Sequence, residues 1–314
     1  MASPTRVLKL GTRGSPLALA QAREVRARLV EAHGLAAEAI EIVPIRTSGD
    51  AIQDRALSEA GGKGLFTKEL DRALIDGGID LAVHSAKDLP TVLPEAIEIA
   101  GYLPREDARD VFLSPRFTHL EDLPAGAVVG SASLRRQALA RRLRPDLEIR
   151  LLRGNVQTRL AKLDSGEFDA TILAMAGLKR LGLTGRVTAI LAVEEFLPAV
   201  GQGAIAITVR REDAPVLAAI VPILDADTGL AVSCERAFLG VLDGSCRTPI
   251  AGHAHRLGDA LEFRGLLLGP DGSEAVETLA RSSTDNAVRL GEDAGHDLLS
   301  RASGALLAQI RAAP

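Results

Sequence analysis

Residues 130–159 concentrate positive charge in a chain that is acidic overall. They hold eight arginines (Arg135, Arg136, Arg141, Arg142, Arg144, Arg150, Arg153 and Arg159) against Asp146 and Glu148, while the whole chain has a formal net charge of -4. A guanidinium group is a planar fork that grips carboxylates or phosphates with two parallel hydrogen bonds. A second group of interest is Lys87-Asp88, within His84-Ser85-Ala86-Lys87-Asp88-Leu89-Pro90. A carboxylate among cations stays ionised unless burial opposes it, and it can then offset a developing positive charge or exchange a proton. Asp88 also fits a turn residue ahead of Pro90, and the sequence leaves both readings open. The third is Cys246, in a glycine-containing loop beside Arg247, where an accessible thiol can titrate below its ordinary ~8.5. Loop position alone leaves its role open.

The elements around the arginines fall into a repeated unit. Val128-Val129-Gly130 reads as the end of a buried strand, Ser131-Ala132-Ser133 as a turn with capping residues, and residues 134–143 as a helix. The pattern recurs, with residues 147–152 as a strand, Gly154-Asn155 as a turn and residues 156–163 as a helix. Both units aim helix N-termini, which are anion receptors, at one sheet edge. Arg135, Arg136, Arg153 and Arg159 flank these turns and are read as anion ligands. Arg141, Arg142 and Arg144 are read as a solvated helix face. Near the N-terminus, residues 7–10 form a strand, and Ser15-Pro16 starts a helix with Ala18, Ala22, Val25 and Leu29 on one stripe. Arg13 and Ser15 thereby form another strand–turn–helix anion site. Gly61-Gly62-Lys63-Gly64 lacks the spacing of a nucleotide phosphate loop. It reads as a mobile loop before a helix over residues 65–74, with Lys63 as an anion contact and Phe66 as its neighbour.

Further strands are expected at residues 41–45, 79–83, 170–173, 205–209 and 261–268, with Leu178-Lys179-Arg180 on a helix after the third of these. Two crossovers, at residues 101–104 and 197–203, imply an α/β fold of two lobes around a cleft, with ligands at facing strand ends. A small α+β domain follows, with a helix over residues 228–242 and one long helix, whole or broken, over residues 285–310. The domain boundaries read as 1–101 with 202–222, 103–199, and 223–314. With 314 residues, 46% of them hydrophobic and 25% charged, the composition is that of a globular protein. No run is apolar enough to span a membrane and no signal-peptide core is present, so a cytoplasmic protein without membrane association is expected. Two cysteines make neither a disulfide framework nor a zinc site, and no metal is expected. Cys234 falls inside the helix beside apolar neighbours and reads as core. Aromatic residues make up 3% of the chain and no basic arm accompanies the arginines, so small polyanions fit better than nucleic acid.

Taken together, the motifs resemble the porphobilinogen deaminase (hydroxymethylbilane synthase) family over essentially the full chain. The matching pieces are Thr12-Arg13-Gly14-Ser15-Pro16-Leu17-Ala18-Leu19, Gly61-Gly62-Lys63-Gly64-Leu65-Phe66, His84-Ser85-Ala86-Lys87-Asp88-Leu89-Pro90 and Ser133-Leu134-Arg135-Arg136. Then follow Leu152-Arg153-Gly154-Asn155-Val156-Gln157-Thr158-Arg159, Leu197-Pro198-Ala199-Val200-Gly201-Gln202-Gly203 and Gly244-Ser245-Cys246. Each is weak alone, but their order and spacing are specific. Glu59 and Ala132 depart from the pattern, and the first puts the loop's anion contacts in question.

The resemblance implies two lobes like type II periplasmic binding proteins and a C-terminal α+β domain. It implies a dipyrromethane cofactor joined to Cys246 by a thioether, onto which four porphobilinogen molecules are added with loss of ammonia. Water then releases linear hydroxymethylbilane. By the same resemblance Lys87, Asp88, Ser133, Arg135, Arg136 and Arg159 bind the cofactor, and Arg13, Ser15, Arg153, Arg159 and Arg180 bind porphobilinogen and the growing polypyrrole chain. Asp88 is the catalytic group, and the enzyme is expected to act as a monomer. Each pyrrole brings an acetate and a propionate, which is a physical reason for so many arginines. The rival reading is a non-catalytic anion-binding protein or regulator of the same two-lobed form, which would have no need of Cys246.

Overall fold

The structure, a computed structural model, describes residues 7–51, 64–242 and 248–312. Lys63 and Cys246 lie outside the described residues. Strand β1 (Leu8–Arg13) runs into helix α1 (Pro16–His33). The Ser15 hydroxyl accepts from the Ala18 amide at 3.3 Å, and Gly34 ends the helix at φ +60°, a left-handed conformation that glycine adopts without strain. The stripe of Ala18, Ala22, Val25 and Leu29 is buried as its spacing requires. Then come β2 (Ile40–Ile45), α2 (Ser48–Ala51), α3 (Lys68–Ile75), β3 (Leu81–Ser85) and β4 (Ile97–Tyr102). Helix α3 starts at Lys68, not Leu65, because a turn comes first: the amides of Thr67 and Lys68 both donate to Gly64 O. Strand β3 starts at Leu81, not Ile79, whose amide donates to Ala73 O at the end of α3.

The chain then forms β5 (Asp110–Leu113), β6 (Val128–Gly130), α4 (Leu134–Leu143), β7 (Glu148–Arg150), α5 (Val156–Asp164), β8 (Ala170–Ala174), α6 (Met175–Arg180) and β9 (Ala189–Ile190). It continues as β10 (Ile205–Arg210), α7 (Ala214–Ile220) and α8 (Ala226–Val241). Last are β11 (Ile250–Leu257), β12 (Ala260–Leu268), β13 (Ala275–Ser283), α9 (Ala287–Arg301) and α10 (Gly304–Ala312). Of the two forms the sequence left open for the long C-terminal helix, the broken one is found, as α9 and α10. Strands β11 and β13, which no sequence signal singled out, flank β12 in an antiparallel sheet.

Two compact units result. Among the described residues, one comprises residues 7–51 and 64–106 with Ala204–Gly229, and the other Asp107–Gly203 with the chain from Leu230 onward. The first is built on a five-stranded sheet of order β2-β1-β3-β10-β4, the second on one of order β7-β6-β8-β5-β9. In each, three neighbouring strands are parallel and one antiparallel strand is inserted next to them. That strand is β10 in one and β5 in the other, the first strand after each crossover.

The second unit also holds the antiparallel sheet. Ala138 and Leu139 of α4 pack with Phe196, Leu197, Ala251, Leu266 and Leu268. Glu235 of α8, fully buried, accepts from the amides of Gly201 at 2.7 Å and Ala254 at 2.8 Å. Cys234 is fully buried, and burial pushes its thiol up to about 12, so it is the core residue that its helical neighbours implied. Among the described residues no single helix is long and apolar enough to cross a membrane.

Candidate active site

In the first unit, β1 and β3 are parallel neighbours, so their carboxyl ends bring Arg13 close to the turn Ala86–Asp88 that follows β3. Arg13 Nη1 lies 3.5 Å from Asp88 Oδ2, with the side chains 20% and 31% exposed. The pair is therefore open to solvent and to ligand. The Arg13 guanidinium also lies 4.0 Å above the ring of Phe66, within cation–π range. Phe66 is half-buried and rests on Gly49, where a Cβ would come within 2.4 Å of the ring. The Gly49 amide donates to Leu65 O at 2.9 Å, which fixes that approach. Lys87 is half-buried beside Asp88, and Ser15 serves as the cap of α1.

Behind this pair sits His84, 5% exposed, with Nε2 3.0 Å from Thr208 Oγ1. Burial, assisted by the charge of Arg13, pushes its pKa down to about 4, so the ring is neutral at pH 7. Buried Gln21 donates to Ser85 Oγ at 2.9 Å and steadies the residue from which the Ala86–Asp88 turn begins. Neither His84 nor Gln21 was singled out from sequence, because nothing about a lone histidine in a strand or a glutamine on a helix separates a supporting role from an incidental one.

In the second unit, β7, β6 and β8 are parallel neighbours, so the turns after all three collect at one edge. Ser133 caps α4 and accepts from the Arg136 amide at 3.4 Å. Asn155 caps α5, accepting from the Thr158 amide at 2.9 Å. Gly154 has φ +112°, and a Cβ there would come within 2.7 Å of Thr158. Arg159 Nε donates to Gly154 O at 2.9 Å. Arg153 is half-buried at the same turn, and Arg180, the last residue of α6, donates to Gly203 O at 3.1 Å.

Arg135 and Arg136 are 4% and 6% exposed and share one fully buried carboxylate, Asp110. Arg135 Nη2 donates to Asp110 Oδ2 at 2.6 Å, and Arg136 Nη2 to Oδ1 at 2.8 Å. Burial by itself would raise the Asp110 carboxyl, but the two guanidiniums outweigh burial and hold it at about 2. Two cations on one anion leave this cluster with a net positive charge. Among the described residues Arg135 Nε is buried with no hydrogen-bond partner. An orphaned donor in a cationic pocket is suited to an anionic ligand.

Asp110 went unnoticed in the sequence. Its signal was an acid opening a wholly buried strand, Asp110-Val111-Phe112-Leu113, where an unpaired charge would be costly. The solvated-face reading of the helix arginines needs correcting. Arg144 donates to Leu120 O, Glu121 O and Leu123 O and pairs with Asp146 at 2.7 Å. Arg141 donates to Pro270 O at 2.9 Å. Of the three, Arg142 is the exposed one.

Comparison with known proteins adds a family. The family model for porphobilinogen deaminase, dipyromethane cofactor binding domain, matches residues 8–218, and that for the porphobilinogen deaminase C-terminal domain matches residues 229–300. The chain is 60% identical over 293 residues to a porphobilinogen deaminase from Nitrobacter winogradskyi, covering 93% of each. It is 59% identical, with the same coverage, to one from Nitrobacter hamburgensis. Among solved structures, the periplasmic VFT2 domain of Bordetella pertussis BvgS is similar at TM-score 0.41 and 15% identity, over 73% of this chain and 92% of that one. The periplasmic aliphatic sulphonate binding protein SsuA from Escherichia coli is similar at TM-score 0.40 and 17% identity, over 77% and 71%.

Proposed function

The chain belongs to the porphobilinogen deaminase family, and from that premise we propose how its residues divide the work. The reaction is that of a transferase in tetrapyrrole biosynthesis: four porphobilinogen molecules are joined with loss of ammonia onto a dipyrromethane cofactor, and linear hydroxymethylbilane is released by water. When bound, the cofactor would supply the free α-carbon to which the first porphobilinogen is joined, and each later one would be joined to the free α-carbon of the pyrrole added before it.

Lys87, Ser133, Arg135, Arg136 and Arg159 would hold the cofactor's carboxylates, and Cys246 would carry it as a thioether. The observation that supports this reading best is the buried surplus of positive charge at Arg135, Arg136 and Asp110, which a carboxylate-bearing group would balance. Arg13, Ser15, Arg153 and Arg180 receive the carboxylates of the incoming porphobilinogen, and Arg159 serves either role. Asp88 is the catalytic group. It accepts from pyrrole N–H groups and offsets the positive charge that grows on the pyrrole as ammonia leaves. Arg13, 3.5 Å away, keeps a counter-charge at hand until a substrate carboxylate takes it. Lys63 would add an anion contact and Phe66 would neighbour it. The working unit is a monomer in the cytoplasm, with domains 1–101 with 202–222, 103–199, and 223–314.

Intact mass measured in acid tests the anchor. Wild type and Cys234→Ser should each carry two pyrrole units, while Cys246→Ser should carry none that survives acid, because serine is a far poorer nucleophile than a thiolate at neutral pH. A normal acid-stable load on Cys246→Ser would sink the assignment.

A further inference from the structure

Asp110 gathers four hydrogen bonds from three side chains. Besides Arg135 Nη2 at 2.6 Å, its carboxylate accepts from Arg136 Nε at 3.1 Å and Nη2 at 2.8 Å, and from Gln202 Nε2 at 2.9 Å. Gln202 is 1% exposed and also donates to Ala108 O at 2.7 Å, while Arg135 Nη1 donates to Leu197 O at 2.7 Å. The first turn of α4, the start of β5 and the crossover at residues 197–203 are thereby tied together around one carboxylate. The edge of Arg136 formed by Nε and Nη2 is taken up by Asp110, so the guanidinium plane is fixed and Nη1 is the nitrogen that Asp110 leaves unengaged.

We propose that Asp110 is the positioning residue of the cofactor receptor. It locks the guanidinium planes of Arg135 and Arg136 before any ligand arrives, and it cancels one of their two charges, so that the pair has charge left for a single carboxylate. The proposal rests on the reading that Arg135 and Arg136 hold the cofactor. Two physical arguments support it. An arginine free to rotate must lose its rotamer entropy on binding, whereas these two have already lost it in folding. And two guanidiniums on adjacent residues repel one another in a buried site unless a fixed anion stands between them.

The test uses full-length chain expressed without its cofactor, titrated with porphobilinogen and read as the fraction of intact, acid-treated protein carrying two added pyrrole units. Asp110→Asn keeps the shape but loses the charge and sets an amide N–H against Arg135. Its half-loading concentration should rise roughly tenfold, the size expected for releasing one arginine's rotamers, while excess porphobilinogen restores full loading. A purely structural role would lower the melting temperature and leave the half-loading concentration of the folded fraction where it was, which overturns the proposal. Should Asp110→Asn fail to fold, Gln202→Leu serves instead. It keeps every charge and removes one of the donors that hold Asp110, and it should raise half-loading by about threefold; an unchanged value would equally overturn the proposal. Arg136→Leu separates this idea from its premise. If Arg136→Leu loads like wild type, the cofactor role of the arginines fails. If it does not load while folded Asp110→Asn loads normally, only the positioning role fails.

Discussion

At matching positions in two sheets of like strand order, the chain places two arginine–carboxylate groupings and treats them in opposite ways. In the first unit the antiparallel strand starts at Ile205, paired with Ser85 at the end of β3, and the carboxylate, Asp88, lies beyond that end on an open turn. In the second unit the antiparallel strand starts with the carboxylate itself, since Asp110 is paired with Ala174 at the end of β8. The result is a partly exposed pair at 3.5 Å against a buried cluster at 2.6 and 2.8 Å. A partly exposed ion pair exchanges partners at little cost. A buried one resists because a lone buried charge is expensive. Under the roles proposed for these residues, turnover draws on the first behaviour and retention of a permanent group on the second.

The comparison breaks most visibly under charge removal. Arg135→Leu leaves Asp110 short of a partner inside the protein and should destabilise the fold by about 3–5 kcal/mol. Arg13→Leu leaves Asp88 facing water and should cost under about 1 kcal/mol, its effect falling instead on KM for porphobilinogen. Denaturant titration of both variants is the check. Equal losses would mean that the two groupings do not differ in kind.

Asp88→Asn asks the same question of catalysis. The exchange is nearly isosteric at a 31% exposed side chain, so the protein should fold and retain its cofactor. Turnover should fall by ~10²-fold or more, since the negative charge opposite the developing cation is gone. Single-turnover ammonia release from the loaded variant measures it, and near-normal release would remove Asp88 from the chemistry.

How much of this was legible beforehand depended on whether local sequence decided the outcome. Helices α4 and α5 were readable because Ser133 and Asn155 are capping residues directly ahead of periodic runs. Both helix starts, and the arginines on them, follow from that. Strand β7 is shorter than its apolar alternation suggested, because it sits at the sheet edge and pairs with β6 over only Glu148–Arg150. Asp110 was not legible. Its role comes from residues 25 and more positions away, and a pairing across that distance leaves no periodic trace. The carbonyl contacts of Arg144 were hidden for the same reason.

Acid should separate the two units. His84 has its folded pKa depressed from 6.5 to about 4, so the unfolded chain takes up a proton first. Its contribution is complete above pH 6.5 and is lost as pH falls toward 4, on the order of 3 kcal/mol at most. Asp110 is also depressed, from 3.8 to about 2, so its contribution persists above 3.8 and disappears only as pH falls toward 2. Between pH 6 and 4, hydrogen exchange should therefore rise in β3 and β10 before it rises in β5 and α4. His84→Asn should flatten the pH dependence of the first unit in that window. Simultaneous loosening of both units, or no flattening, would show that His84 is not the group responsible.

The smallest effect concerns what would steady Arg13 if a substrate carboxylate takes the place of Asp88. Its guanidinium lies 4.0 Å over Phe66, and an aromatic face holds a cation without competing for the hydrogen bonds that a carboxylate needs. Phe66 would then help to keep Arg13 near Asp88 without taking up its N–H groups. A cation–π contact at a partly exposed site is worth about 0.5–1 kcal/mol. Phe66→Leu should therefore raise KM for porphobilinogen roughly two- to fivefold, with cofactor loading unaffected. A loss caused merely by looser packing would give the same KM change, so a second route to the ring is needed. Gly49→Ala supplies it, because the new Cβ would stand 2.4 Å from Phe66 and must push it aside, disturbing the stack without deleting any aromatic surface. If both variants raise KM and Phe66→Tyr, which keeps the ring face, does not, the stack is what matters. If Phe66→Leu binds porphobilinogen like wild type, the aromatic face contributes nothing to the positioning of Arg13.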